Sequence, residues 1–474
     1  MPRQPIQSFE EPPWLGLALC AVVVTGCSFQ DSRLITSNSA GAGGSQGGAT
    51  SGGRASGGSG GDAPVGGGPV TAAVVAAIDE RPIGGASLNG MTTGGGTYAS
   101  AQSAGRLFIV NSIDSLRERV SGDIPTVILI AEGTYTFAVE PVPLMVCTQT
   151  CDPNTPVPSQ LGLESRCTNG EKLFEYQDTH EILRVGKNKT VIGLGNGAVL
   201  RNVTISLGGS SNVILRNLTI RDLNPTVNGG GDGLSAWPTD HVWLDHLTIA
   251  NIARAYLNIV SSWDEENDQA LTIESGYMTL THNHFDGRVE ALCGQRSTFV
   301  LGTSRNPALT LAYNWFHRSS QRNGYFFGPG TWAHLFNNLW SDIDGTGASA
   351  VCGAAALLQG NVFQSTKSAL YNNDDGLPVW KFCADGLYGK VYAPTQGGSD
   401  EDNLLDESSM LDVNDQPLSG AGLALPARTT GHRFTIAAPT ASGSRSEQYE
   451  VTLAAAASSV STDVQASAGA GHLF

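Results

Sequence analysis

An apolar run ending in Asn, any residue, then an aromatic occurs four times in the second half of the chain. The copies are Asn283-His284-Phe285, Asn314-Trp315-Phe316, Asn338-Leu339-Trp340 and Asn361-Val362-Phe363, with Asn-to-Asn steps of 31, 24 and 23 residues. Periods of this size mark stacked supersecondary units rather than one core folded over on itself. The units open on short β-rich runs: Val213-Ile214-Leu215, Val242-Trp243-Leu244, Met278-Thr279-Leu280, Leu309-Thr310-Leu311 and Ala356-Leu357-Leu358. Short apolar runs bounded by turn residues fit strands covered on their inner side. An Asn at the same place in each coil tolerates the left-handed backbone and can join the amide groups above and below it. A β-sandwich with Asn turns is the rival, but nothing in a sandwich makes turn chemistry repeat in register. The repeat predicts an all-β chain, a parallel β-solenoid with one short strand and a polar turn per coil.

Composition supports that reading. A chain of 474 residues is long for one globular core, but a solenoid grows along its axis. Glycine is abundant at 59 residues and only 15% of residues are charged, which leaves little for long amphipathic helices. One helix is expected, from Ser112 to Arg119, placed early enough to cap the open end of the solenoid, where a bare strand would invite edge pairing. The formal net charge of −16 excludes nucleic acid as a partner, because phosphate binding needs a basic face. It also works against a polyanion unless a local group of arginines reverses the field.

Residues 1–26 read as a signal peptide of lipoprotein type. Trp14 to Val24 is too short to span a bilayer and runs into Val24-Thr25-Gly26-Cys27, which resembles a bacterial lipobox with Cys27 as the acylated residue. A plain secretory signal cleaved nearby is the alternative. Residues 27–70, nearly all Gly, Ser and Ala beyond Ser37, read as a flexible tether. The solenoid is expected over 71–430. The Ala- and Ser-rich segment 431–474 is expected to pack on it or to be partly disordered. The expected location is outside the cytoplasm, as an outer-membrane lipoprotein at the cell surface or a secreted monomer, touching membrane only through the lipid. Six cysteines remain beyond the signal: Cys147, Cys151, Cys167, Cys293, Cys352 and Cys383. In an exported chain they favour disulfides, with fifteen possible pairings, over a metal knot at Cys147, Cys151 and Cys167.

Four blocks in order carry a family resemblance: Lys187-Asn188-Lys189-Thr190-Val191-Ile192-Gly193-Leu194-Gly195, Asn212-Val213-Ile214-Leu215-Arg216-Asn217-Leu218, Gly231-Asp232 with Val242-Trp243-Leu244-Asp245-His246, and Gln321-Arg322 with His334-Leu335-Phe336-Asn337-Asn338. They resemble polysaccharide lyase family 1, the pectate and pectin lyases, across roughly Leu107 to Gly376. The resemblance implies a right-handed parallel β-helix with a short N-terminal capping helix. It also implies β-elimination on pectic polygalacturonan, leaving 4,5-unsaturated ends. That chemistry needs a base near C5 of a uronate and positive charge at the carboxyl oxygens where enolate character builds.

By the resemblance Arg322 is the base, although a free guanidinium holds its proton far above neutrality. Asp232 matches the aspartate that binds calcium in pectate lyases and persists in pectin lyases. Arg254 falls where an arginine replaces calcium in pectin lyases, paired with that aspartate and facing the substrate carbonyl. Arg288, Tyr325 and Phe327 are the expected substrate-binding residues. Tyr325 and Phe327 stand where pectate lyases carry further arginines, which suits a methyl-esterified, less charged polymer. No cofactor is expected on this reading. If calcium is used instead, Asp232, Glu266 and Asp268 are its expected ligands. His246 and Asp245 are expected to brace the coil. Two other classes stay open: a polygalacturonase-like hydrolase, for which Asp374-Asp375 is the tempting acid pair, and a non-catalytic carbohydrate-binding β-helix.

Overall fold

Val213, Val242, Met278, Leu309, Ala333 and Ala356 stand at one height on six successive parallel strands. The expected strands thus form one face of a β-solenoid. The computed structural model describes residues 70–139, 181–223, 231–236, 238–252, 255–260, 276–287, 308–319, 321–327, 331–351, 354–371, 403–406 and 457–474. It also describes strand segments at 146–147, 173–174, 263–264, 269–270, 297–302, 390–392, 433–440 and 443–450. All of these lie in the unit Gly48–Phe474. Each full coil contributes three strands, not the expected one. The first sheet holds ten strands, from Leu107–Val110 to Lys390–Tyr392. The second runs from Gly133–Thr136 through Thr248–Ile252, His284–Asp286 and Trp315–His317. The third runs from Glu181–Arg184 through Leu234–Ser235, Ala255–Val260, Ser297–Gly302 and Gln321–Phe327. Strand Leu339–Val351 starts beside Trp315–His317 and ends beside Gln321–Phe327, so it passes from the second sheet into the third. The architecture is a right-handed parallel β-helix, the hand that parallel crossovers take.

The repeated Asn does what its spacing predicts. At the turn into the second sheet, Asn283 Nδ2 donates to Asn314 Oδ1 at 2.9 Å, Asn314 to Asn338 at 2.9 Å, Asn338 to Asn361 at 2.9 Å and Asn361 to Asn403 at 2.8 Å. Each of these oxygens also accepts the backbone N–H of the preceding ladder residue. The amides are fully buried except Asn403 at 4% exposure, so a satisfied ladder avoids the cost of stranded polar groups. One residue earlier in each coil the backbone is left-handed: Asn217, His246, His282, Tyr313 and Asn337 have φ between 51° and 58°. The aromatics of the repeat turn inward and stack. Phe285, Phe316, Trp340 and Phe363 follow one another at centroid spacings of 5.0, 4.8 and 4.5 Å.

Helix Ile113–Val120 is the expected cap. Ser112 Oγ accepts from Ser115 N–H at 3.2 Å, and Leu116 and Val120 enter the core of the first coils. The outer faces of two sheets are covered by elements that the repeat does not predict. Helix Ala72–Asp79 lays Val74, Ala77 and Ile78 against Val127, Leu129 and Ile192. Buried Arg216 anchors it, donating to Ala77 O at 2.6 Å, Glu80 Oε2 at 2.7 Å and Asp245 Oδ2 at 2.6 Å, with its guanidinium 4.3 Å from the Trp243 ring centre. The 3-10 turn Gly84–Ser87 that follows lies so close to the first sheet that a Cβ on Gly85 would stand 2.3 Å from Ala308 O. Helix Ala457–Ser467 packs Val460 and Val464 on Leu339 and Val362 of the second sheet.

Candidate active site

The third sheet brings the sequence blocks together. Leu234 pairs with Leu257, and Gly233 N–H donates to Ala255 O at 2.9 Å, so Asp232 sits at the entry edge of its strand. Ala255 pairs with Ser297, and Ser297 with Gln321, the residue before Arg322. Asp232 and Arg322 therefore mark the same edge, three coils apart. At one strand spacing per coil that is about 14 Å along the axis.

Asp232 is 6% exposed. Its Oδ1 accepts the Ala255 N–H at 3.3 Å and its Oδ2 accepts from Asn258 Nδ2 at 2.8 Å. Its carbonyl accepts from Thr204 Oγ1 at 2.7 Å. Both carboxylate oxygens are thus aimed by the neighbouring coil. Asn258, itself 4% exposed, keeps a buried Oδ1 with no hydrogen-bond partner beside this carboxylate. Asn258 is uncharged and lies ahead of the acidic run Asp264 to Asp268, so the sequence alone does not single it out. The signal was its place four residues after Arg254, in the strand that follows Asp232 by one coil.

Arg322 lies where the repeat is broken. Asn323 pairs with Phe299, but Tyr325, not Gly324, pairs with Val300, so Gly324 is the extra residue of a bulge, at φ +122°. Arg322 itself has φ +54°, a left-handed conformation uncommon outside glycine and frequent at functional sites. The backbone is held there by Asn323: its side chain meets the Ser319 hydroxyl and donates to Thr346 O at 2.8 Å, while its carbonyl accepts from Trp340 Nε1 at 2.8 Å. The half-buried guanidinium stands 5.1 Å from the Tyr325 ring centre, within cation–π reach. Tyr325 and Asn258 occupy one column of the sheet, through Val300, while Leu257 and Phe326 turn into the core.

The described residues bring Asp232, Asn258, Arg322 and Tyr325 to one face. Arg254, Arg288, Glu266, Asp268, Cys27 and the pair Asp374-Asp375 lie outside the described residues, as does the Phe327 side chain. Of the six cysteines only the Cys147 backbone is described. Calcium takes six to eight oxygens, and two of its expected ligands, Glu266 and Asp268, lie outside the described residues. Asp232 has both oxygens bonded to protein and joins no cluster of three potential ligands among the described residues. Asp245 is structural: it accepts from Arg216 and His246, and Thr281 Oγ1 donates to its Oδ1 at 2.6 Å. Burial works to raise its pKa, but these hydrogen bonds and the Arg216 charge outweigh it and hold the carboxyl well below the usual range.

The profile of the family described as pectate lyase matches residues 160–382. Among curated proteins, a probable pectin lyase F-2 of Aspergillus terreus is 31% identical over 301 residues, covering 60% of this chain and 58% of that protein. A probable pectin lyase F of Neosartorya fischeri is 30% identical over 297 residues, covering 59% and 71%. A probable pectin lyase F of Emericella nidulans is 34% identical over 198 residues, and only 40% of it is spanned. Among solved structures, a pectate lyase of Paenibacillus sp. 0602 superposes with a TM-score of 0.53 over 83% of this chain and 96% of that one, at 15% identity, a likeness of fold.

Proposed function

The chain belongs to polysaccharide lyase family 1, the pectate and pectin lyases, and from that premise we propose that it cleaves pectic polygalacturonan by β-elimination, favouring methyl-esterified pectin. Arg322 takes the C5 proton of the uronate. Arg254, paired with Asp232, faces the carboxyl group where charge builds, without calcium; the C5–H electron pair forms the C4=C5 bond as the C4–O bond breaks, and the leaving sugar oxygen takes up a proton. Arg288, Tyr325 and Phe327 line the polymer, the two aromatics offering apolar surface to esterified units. One observation carries the reading: a half-buried arginine held in left-handed backbone at a bulge, on the same sheet edge as a buried, pre-aimed aspartate. The aromatic Tyr325 beside Arg322 favours the esterified substrate. The calcium-dependent pectate lyase, with Glu266 and Asp268 as ligands, is the second reading. The apolar stretch before Cys27 supports an exported, acylated chain whose glycine-rich tether presents the β-helix to the polymer.

The test is to incubate the purified protein with low- and high-ester pectin, with and without a calcium chelator, and follow near-ultraviolet absorbance. Unsaturated ends that form faster on high-ester pectin and survive chelation are expected. Loss of the signal on chelation moves the assignment to the calcium-dependent reading. Reducing ends without absorbance would mean hydrolysis, and neither signal would leave a binding protein.

A further inference from the structure

A second group of reactive side chains stands on a different face, outside the second sheet. His284 pairs with Trp315 and Asp286 with His317 in adjacent strands. Phe285 and Phe316 between them point into the core, so the four alternate residues face outward together. One nitrogen of each imidazole and one Asp286 oxygen all lie within 4.8 Å of one another. Trp315 stacks on both rings, at 4.2 Å from His284 and 4.5 Å from His317. We propose that His284, Asp286 and His317 bind one divalent first-row transition ion, zinc foremost, which ties two adjacent coils together beneath the carboxy-terminal segment.

The donor set decides the class of ion. Two imidazoles and a carboxylate suit zinc and its neighbours and not calcium or magnesium, which take oxygen shells. Zinc–ligand bonds of about 2.0–2.1 Å put two tetrahedral ligands roughly 3.3 Å apart, so the site closes with side-chain movements on the order of 1 Å. Asp342 Oδ2 lies 3.8 Å from His317 Nε2, the kind of outer carboxylate that orients a ligating imidazole. Asp286 is 6% exposed and the His317 side chain 12%, shielded from bulk water yet reachable. The segment after helix Ala457–Ser467 crosses the site. Gly469 N–H donates to His282 O at 2.7 Å, and a Cβ on Gly469 would stand 3.2 Å from His284 Cβ. The other His–Asp group, Asp245 with His246 and His282, differs in kind: an ion there would have to displace the buried Arg216 guanidinium.

The full chain, stripped with chelator, is titrated with Zn²⁺ against a metallochromic dye. One equivalent is expected to bind in the wild type, and at least tenfold more weakly in His284→Gln, His317→Gln and Asp286→Asn. Other groups of the chain could hold zinc, so the difference between wild type and variant is the readout. Ni²⁺ is expected to quench Trp315 emission, and Trp315→Phe to lose that component while still binding Zn²⁺. Should the ligand variants misfold by circular dichroism, the quenching comparison alone decides. Equal zinc affinity in folded wild type and variants, or identical Ni²⁺ quenching with and without Trp315, overturns the site.

Discussion

Two edges of the same solenoid obey opposite rules. At the turn into the second sheet one residue type recurs, and every amide of the Asn283-to-Asn403 ladder bonds the rung beside it. At the entry to the third sheet four successive rungs carry Asp232, Ala255, Ser297 and Gln321, with a bulge and two positive-φ residues at Arg322 and Gly324. Repetition satisfies polar groups in bulk. Departure from it aims single side chains. The comparison therefore teaches where stability and chemistry are each invested, and predicts that they can be removed separately.

Arg322→Ala should break the groove alone. Loss of a positioned proton-transfer group costs about 10²–10⁴-fold in rate, so elimination should nearly vanish in the absorbance assay while the thermal midpoint holds. Asn338→Ala should do the reverse. It strips the acceptor from Asn314 N and Nδ2 and the donors to Leu311 O and Asn361 Oδ1. At about 1 kcal/mol per net hydrogen bond, plus stranded donors, stability should fall by roughly 3–4 kcal/mol, read by denaturant unfolding, with kcat of the folded fraction unchanged.

Acid should weaken the scaffold. Burial of His334 pushes its pKa down to about 4, opposed by the bond to Gln359 at 3.0 Å. Above about pH 6.5 both folded and unfolded chains carry this imidazole neutral, and it costs nothing. As the pH falls from there toward 4 the unfolded chain gains a proton that the folded one refuses, so stability drops by up to about 3 kcal/mol. His334→Gln should flatten that limb of the midpoint-against-pH curve, and an unchanged slope would refute the assignment. The smallest effects belong to the supports of the groove. Asn258→Ala removes one charge-assisted hydrogen bond from Asp232, worth about 1–2 kcal/mol, and should slow elimination by roughly tenfold. Tyr325→Ala forfeits about 0.5–1 kcal/mol of ring contact with a guanidinium and should raise KM a few-fold, more on high-ester than on low-ester pectin.

The ladder and the first sheet were legible because each coil spends one Asn and one apolar triplet at a fixed height. The other two sheets were not. Their strands can be as short as Leu234–Ser235 or His284–Asp286, too brief for a period to show, and long excursions separate them in sequence. Helix Ala457–Ser467 hides for another reason: an Ala- and Ser-rich segment gains its order from Leu339 and Val362 beneath it, contacts that no local pattern announces. At the candidate site the individual strings were readable, whereas Asn258 became visible only once Ala255 was seen beside Ser297 and Asp232 one rung below. Nor does anything in the string Arg322-Asn323-Gly324 reveal a bulge; it exists only relative to the neighbouring strand.

That Asp232 and Arg322 share an edge while standing three windings apart makes their separation a count rather than a continuous length. No point substitution can tune it finely. Duplicating the winding that carries Ala255 would lengthen the interval by one increment of about 4.8 Å, and deleting one would shorten it equally, so the length of groove between the two groups can change only in whole steps, as on a ratchet.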